Sequence, residues 1–314
     1  MAKNAQISII IPVYNRAKIV KDTLDSVASQ TLRPLDVILI DNNSSDSTLE
    51  VLNEWKKQTE CDDFNISILS ETTPGAAAAR NRGLKEVTTP YTMFFDSDDI
   101  MLPTHAERAV EAFNQDASLD VVGWDVDTKT LSGNDSKYRF CDKDTLYNHI
   151  FHATMATQRF AARTELFKQV GGWGENLIVW NDYELGVRLI LANPTIKKLT
   201  GKASVIVIAQ RESITGTNFS SKAQYWEASL NAIDIALDKY SHSSMKKYID
   251  VRRVILAGFY HREGAIQDSK RLLGEVVSRS GWYRRMIMKL FYNIIRCGGR
   301  GIALLAKPLL YFSK

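Results

Sequence analysis

The chain has 314 residues, 45% of them hydrophobic and 24% charged, the ordinary composition of a soluble globular protein with room for one large domain or two smaller ones. The N-terminal MAKNAQISIIIPV lacks the basic region, long apolar stretch and cleavage site of a secretory signal, and the widely spaced Cys61, Cys141 and Cys297 argue against a disulfide framework or a CxxC metal site, so a cytoplasmic protein is expected. The net charge of +4 hides a division: residues 239–314 hold 16 Lys/Arg against 4 Asp/Glu, net +12, and residues 1–238 hold 24 against 32, net −8, so the two parts meet different partners.

Apolar runs at 7–13, 37–41, 66–69, 91–96 and 121–125 predict strands. Helical periodicity fills the gaps, as in Val20, Leu24, Val27 and Ala28. Such a βαβ series predicts an α/β fold, a mostly parallel Rossmann-like sheet flanked by helices. Ser47 with Glu50, and Thr104 with Glu107, fit the capping box that starts a helix. Residues 131–152 read as a polar, irregular excursion around SGNDS, with regular structure resuming near Thr154. Helices at 164–170 and 182–192 and a strand at 203–208 follow. The last part is helical, and Ala223, Trp226, Leu230, Ile233, Leu237 and Tyr240 form a stripe expected to be core.

Ligands of such sheets bind beyond the carboxyl ends of the strands, where Asp41 and Asp96 both fall. In FFDSDDIMLP, the carboxylates of Asp96, Asp98 and Asp99 crowd a strand end. Their repulsion is relieved by a hard divalent cation, Mg²⁺ or Mn²⁺, which commonly completes its shell with substrate phosphates; the alternative is a solvated acidic turn. Asp41, in LIDNNSSDST, is either an Asx turn or a carboxylate that accepts a hydrogen bond from a nucleobase or ribose. Pro12 and Asn15, in IIIPVYNRAK, stand at another carboxyl end, with Pro12 expected to shape the turn. Arg80, in TTPGAAAARNRGL, lies among small residues that permit close approach, and is suited to pair with a phosphate or to sit on a tightly packed helix. Asp182 and Glu184, in VWNDYELGVRLI, are acids of a first helical turn with Asn181 as its cap, or else Asp182 is a general base held at a pocket wall.

Six stretches in this order, IIPVYNRA, LIDNNSSDST, GAAAARNRGL, FFDSDDIMLP, VGGW and NDYELGVRL, span residues 6 to about 215, and over them the chain resembles the inverting nucleotide-sugar glycosyltransferases of family 2, with the GT-A fold. The resemblance implies that Asp96 and Asp98 are a DxD pair; Asp99, crowded beside them, is expected as a further metal ligand. Pro12 and Asn15 are expected in the nucleotide site from their strand-end position, and the resemblance places Asp41 near the base of the nucleotide, Arg80 near the diphosphate, and Asp182 as the catalytic base. It implies a GT-A domain at 1–219, with its nucleotide-sugar half at about 1–125 and its acceptor half at about 126–219, before a basic helical region at 220–314. A UDP-sugar is the default donor, Mn²⁺ or Mg²⁺ the cofactor, and a saccharide or lipid-linked chain the acceptor, with no nucleic acid. Asn42, Asn43 and Ser44 depart from the family's DDGS, and Asn181 replaces the acid that usually precedes the base. The chain has no QxxRW motif and no spans of the processive synthases, which favours single addition. A sugar nucleotidyltransferase is the rival reading, but ISIIIPVYNRAK lacks the Gly-rich loop of that class. A non-catalytic module of the same fold is the other, opposed by the intact Asp96, Asp98 and Asp182.

The tail, residues 282–314, carries seven Lys/Arg and no acid. Helical spacing gathers Ile287, Leu290, Phe291, Ile294 and Ile295 opposite Arg285, Lys289 and Arg296. Neither this segment nor the apolar one at 302–312 reaches the ~20 residues that span a bilayer, so a helix lying on the anionic cytoplasmic face of a membrane is expected, against the alternative of a helix packed on the protein.

Overall fold

The computed structural model describes residues 4–130, 135–209 and 218–311. The chain divides into two units, residues 1–145 with 154–212, and residues 146–153 with 213–314. The first begins β1 (Ile7–Val13), α1 (Val20–Ala28), β2 (Leu35–Asp41), α2 (Thr48–Thr59), β3 (Phe64–Ser70), α3 (Ala76–Glu86), β4 (Tyr91–Phe94), β5 (Ile100–Met101), α4 (His105–Gln115), β6 (Val121–Gly123), β7 (Val126–Lys129) and β8 (Ser136–Tyr138). Helix α5 (Thr145–His152) falls almost wholly in the second unit. The first unit resumes with β9 (Phe160–Arg163), α6 (Thr164–Gln169), α7 (Asn181–Leu191), β10 (Ile196–Lys198) and β11 (Val205–Ile208).

Seven strands make one sheet, in the order β10-β6-β9-β4-β1-β2-β3. β1 to β4 are parallel, β10 pairs parallel with β6, and β9 is inserted antiparallel between β4 and β6. Helices cover both faces, so β1 and β2 are buried along their whole length and read as unbroken apolar runs. Register places Val13 beside Asp41 and Ile10 beside Phe94, so the ends of β1, β2 and β4 open on the same edge. Pro12 is tolerated inside β1 because pairing with β4 stops at Ile10, and the N–H it lacks would have faced that side. A second sheet has the order β5-β11-β7-β8, and its Met101, Val126 and Val205 join the core under the first.

Several sequence expectations need correction. β4 ends at Phe94, which leaves Asp96 in the following turn, and β6 ends at Gly123 rather than at residue 125. Neither capping box forms: Asp46 takes both the N–H and the hydroxyl of Thr48, and Glu107 accepts from the Thr31 hydroxyl at 2.8 Å. Asn181 does not cap α7 but is its first residue, preceded by Trp180 in the left-handed region at φ 52°. The excursion at 131–152 contains strand β8 and helix α5; residues 131–134, most of SGNDS, lie outside the described residues.

The second unit adds α8 (Ala223–Lys239), α9 (Lys246–Arg262), α10 (Ile266–Ser278), α11 (Trp282–Arg296) and α12 (Ile302–Leu310) around a central α9. Trp226, Leu230, Ile233 and Leu237 of the expected stripe are buried. Gly258 lets α9 approach α11, because a Cβ there would lie 2.4 Å from Cγ2 of Ile295. Among the described residues no helix is long and apolar enough to cross a membrane.

Candidate active site

The loops beyond β1 and β2 are stitched together. Asn15, at φ 51°, receives the N–H of Ser45 on its Oδ1 at 2.8 Å and donates its own N–H to the Ser44 hydroxyl at 3.0 Å. The Arg16 N–H reaches the Thr48 hydroxyl at 2.8 Å. Asp41, buried at the end of β2, accepts the Ser44 N–H on Oδ2 at 3.3 Å, while its Oδ1 is buried with no protein partner. An orphaned carboxylate oxygen is costly unless something donates to it, and a nucleobase imide or ribose hydroxyl has the required chemistry. Asn42 fixes the neighbouring loop, donating to Glu71 O and Thr73 O at 2.9 and 2.8 Å and accepting the Gly75 N–H at 2.8 Å.

The second group of residues is held by Arg80. Helix α3 carries it inward, buried, where its guanidinium donates to Asp96 Oδ1 at 2.6 Å and to Asn181 Oδ1 at 3.4 Å and lies 4.3 Å from the ring centroid of Trp173. Stacking leaves the guanidinium edge available while the indole shields its face. Asn81, the next residue, clamps the turn that presents this indole, donating to Trp173 O at 2.9 Å and accepting the Trp173 N–H at 2.8 Å. Gly172, at φ 68°, is required there: a Cβ would meet Asn81 Oδ1 at 2.6 Å.

Arg80 thereby connects Asp96 to the N-terminus of α7 and Asp182. Burial pushes the Asp182 carboxyl above its ordinary range, opposed by the nearby Arg80 and by N–H groups of Tyr183 and Thr157, and reinforced by Asp96. Gln158, in the turn before β9, donates to Asp96 Oδ2 and also hydrogen-bonds Asp99. Neither Gln158 nor the role of Trp173 was legible beforehand, since both depend on how β9 and the glycine turn fold back onto the strand ends.

The three crowded carboxylates differ in surroundings. Asp98 is pushed up by burial first and then by Asp96, and its nearest cation is Arg16 Nη2 at 3.9 Å. Asp99 is buried and turned toward the second sheet, accepting the Ile208 N–H at 2.9 Å; burial, then Asp96, pushes it up to about 8. Among the described residues no group of three or more His, Cys, Asp or Glu side chains is gathered to hold a metal ion. A pair such as Asp96 and Asp98 fits a hard divalent cation only if other oxygens fill the shell, which phosphates and water supply for Mg²⁺ and Mn²⁺.

A mostly parallel α/β sheet with acidic strand ends, a buried arginine and a helix-terminal carboxylate on one edge is the arrangement of a GT-A fold. Residues 8–171 match the model of Glycosyl transferase family 2, and the chain belongs to that family. It is 39% identical over 98 residues to the poly(ribitol-phosphate) beta-glucosyltransferase of Bacillus spizizenii, covering 30% of this chain and 15% of that protein. The uncharacterized glycosyltransferase EpsJ of Bacillus subtilis is 31% identical over 117 residues, 37% of this chain and 33% of that one. An uncharacterized glycosyltransferase of Rickettsia prowazekii is 22% identical over 313 residues, 93% of this chain and 92% of that one. Among solved structures, S. aureus TarS 1-349 in complex with UDP-GlcNAc superposes with a TM-score of 0.66 at 18% identity, covering 94% of this chain and 92% of that one. The mannosyltransferase PcManGT of Pyrobaculum calidifontis, in complex with GDP-Man and Mn²⁺, gives 0.55 at 16%, covering 97% and 86%. These likenesses give the fold as GT-A.

Proposed function

We propose that the protein transfers a sugar from a nucleotide-diphosphate sugar, a UDP-sugar by default, to an acceptor hydroxyl by an inverting single displacement. The observation that carries this reading is the Arg80 bridge, which gathers Asp96 and Asp182 into one cluster. Asp182 takes the acceptor proton as that oxygen bonds to the anomeric carbon, and the bond to the diphosphate breaks with its electron pair leaving on the phosphate oxygen. A raised carboxyl pKa brings Asp182 nearer the working pH and makes it a stronger base than an exposed aspartate. Asp96 and Asp98 would hold Mn²⁺ or Mg²⁺, which neutralises charge on the departing diphosphate when bound. Arg80 is freed from Asp96 to pair with a phosphate, still seated on Trp173. Asp41, with Asn15 shaping the loop beside it, receives the nucleoside, and Pro12 acts only through the strand. Asp99 acts as a strut between the strand-end turn and β11, a different role from the metal ligand expected of it.

The acceptor is a saccharide or lipid-linked chain of cell-surface polysaccharide or glycolipid assembly, in keeping with the poly(ribitol-phosphate) named for the Bacillus spizizenii relative. A lipid-linked acceptor would suit an enzyme on the cytoplasmic face of a membrane. The test is a screen of nucleotide-sugar hydrolysis with and without Mn²⁺, which needs no knowledge of the acceptor. Metal-dependent release of nucleoside diphosphate is expected. Release of pyrophosphate from a nucleoside triphosphate and a sugar phosphate, with no nucleotide-sugar turnover, would replace this reading with a nucleotidyltransferase.

A further inference from the structure

We propose that the outward face of α11, continued on α12, is a docking surface for an anionic lipid bilayer. The residues expected to enter the membrane are largely spent elsewhere: Ile287, Phe291 and Ile295 are buried within the helical unit, and Ile295 packs on Gly258 of α9. What α11 turns outward is a strip that keeps only Leu290 of the expected residues: Trp282, Met286 and Leu290, spaced by four residues and 74%, 58% and 49% exposed. Beside it on the helical wheel run Arg285, Lys289 and Arg296, all exposed. Helix α12 adds Leu304, 81% exposed, and Leu305, with exposed Tyr311 just after its end. An apolar groove of about 400 Å³ lies among Tyr147, Leu304, Lys307, Pro308 and Tyr311.

Apolar side chains flanked by cations along one helix match the boundary between acyl chains and anionic headgroups. Tryptophan and tyrosine at the edge of such a strip suit the same boundary. Residues 282–311 contain six Lys/Arg and no carboxylate. A second copy of this chain would bring the same cations onto one another across a two-fold interface, and a nucleic acid would leave the apolar strip uncovered. The helices are too short to span, so the contact is peripheral. This surface stands independently of the transfer reaction, although it would serve a lipid-linked acceptor.

Flotation of the 314-residue chain with phosphatidylcholine vesicles, and with the same vesicles containing phosphatidylglycerol, tests it at low and high salt. Binding is expected only to the anionic vesicles and to weaken with salt. Arg285→Glu with Lys289→Glu, and separately Trp282→Ser with Met286→Ser, should each lower the partition about tenfold or more, with thermal melts unchanged because these side chains are exposed. Trp282 fluorescence, read as wild type minus Trp282→Phe, should shift to the blue on adding anionic vesicles. Absence of binding, equal binding to neutral vesicles, both double variants floating like wild type, or a wild-type dimer that the variants abolish would overturn the proposal.

Discussion

Asp98 has the weakest protein partnership of the strand-end carboxylates, with Arg16 at 3.9 Å and burial and Asp96 both working against its charge. A group so disposed gains most from a cation, and loses it most cleanly on neutralisation. Asp98→Asn should fold normally yet bind UDP with Mn²⁺ much more weakly; calorimetry that finds an unchanged affinity would remove Asp98 from the metal site. Asp182 carries a pH consequence. Its carboxyl is raised by burial, so the deprotonated base is lost at a higher pH than for an exposed aspartate. The rate of transfer should therefore fall on the acid side with a midpoint above ~4, the ordinary aspartate value, and Asp182→Asn should erase that limb along with most of the activity. Asp96 and Asp98 stand out in the sequence as carboxylates crowded after an apolar run, whereas Asp182 is singled out only by the resemblance to the family. Their partners were not legible: Gln158 is an ordinary polar residue in sequence, and only the antiparallel insertion of β9 brings it to Asp96.

At the level of elements, the glycine turn after α6 sets the site as much as any acid does. Gly172→Ala would press a methyl group on Asn81 Oδ1 at a left-handed backbone position, loosening Trp173 and the Arg80 stacked on it. Weakened donor binding with a lowered melting temperature is expected; a variant that melts and binds as wild type would show that the clamp is dispensable. Helix α3 makes a matching demand. A Cβ on Gly83 would lie 2.6 Å from Ile10 and 2.8 Å from Ile40, so Gly83→Ala should cost about 1–3 kcal/mol by overpacking, measurable by urea denaturation. β1 to β4, β6 and β11 followed from apolar runs, since burial on both faces leaves little polar alternation, whereas β5, β7, β8, β9 and β10, each two to four residues long, carried no such signal. Ends were harder. β2 begins two residues before the expected start because Asp36, a polar residue inside a strand, is satisfied by the Ser8 hydroxyl at 2.8 Å and by Asn65 at 2.5 Å. Ser47 makes no side-chain cap bond, and the neighbouring Thr48 N–H goes to Asp46. Helix α5 buries only His149 and Ile150, which leaves too little apolar pattern to announce it.

For the molecule as a whole, the charge division of the sequence has a structural counterpart, although the acidic stretch also includes α8. Residues 1–238 carry net −8 and residues 239–314 net +12. The strand-end acids lie in the first unit and the basic helices α9 to α12 in the second. Salt should accordingly affect the two differently, screening an exposed cationic face more than the partly buried Arg80–Asp96 pair. The proposed reaction uses Asp182 as its base and holds its donor with Asp41, Arg80, Asp96 and Asp98. Its most direct test compares wild type with Asp182→Asn in two assays on the same preparations: donor affinity by calorimetry with Mn²⁺, and transfer to the acceptor, once one is found, or donor hydrolysis in its absence. Unchanged donor affinity with turnover reduced about 10²- to 10⁴-fold is expected. Near-full turnover in the variant would leave Asp182 a helix-terminal acid and contradict the account.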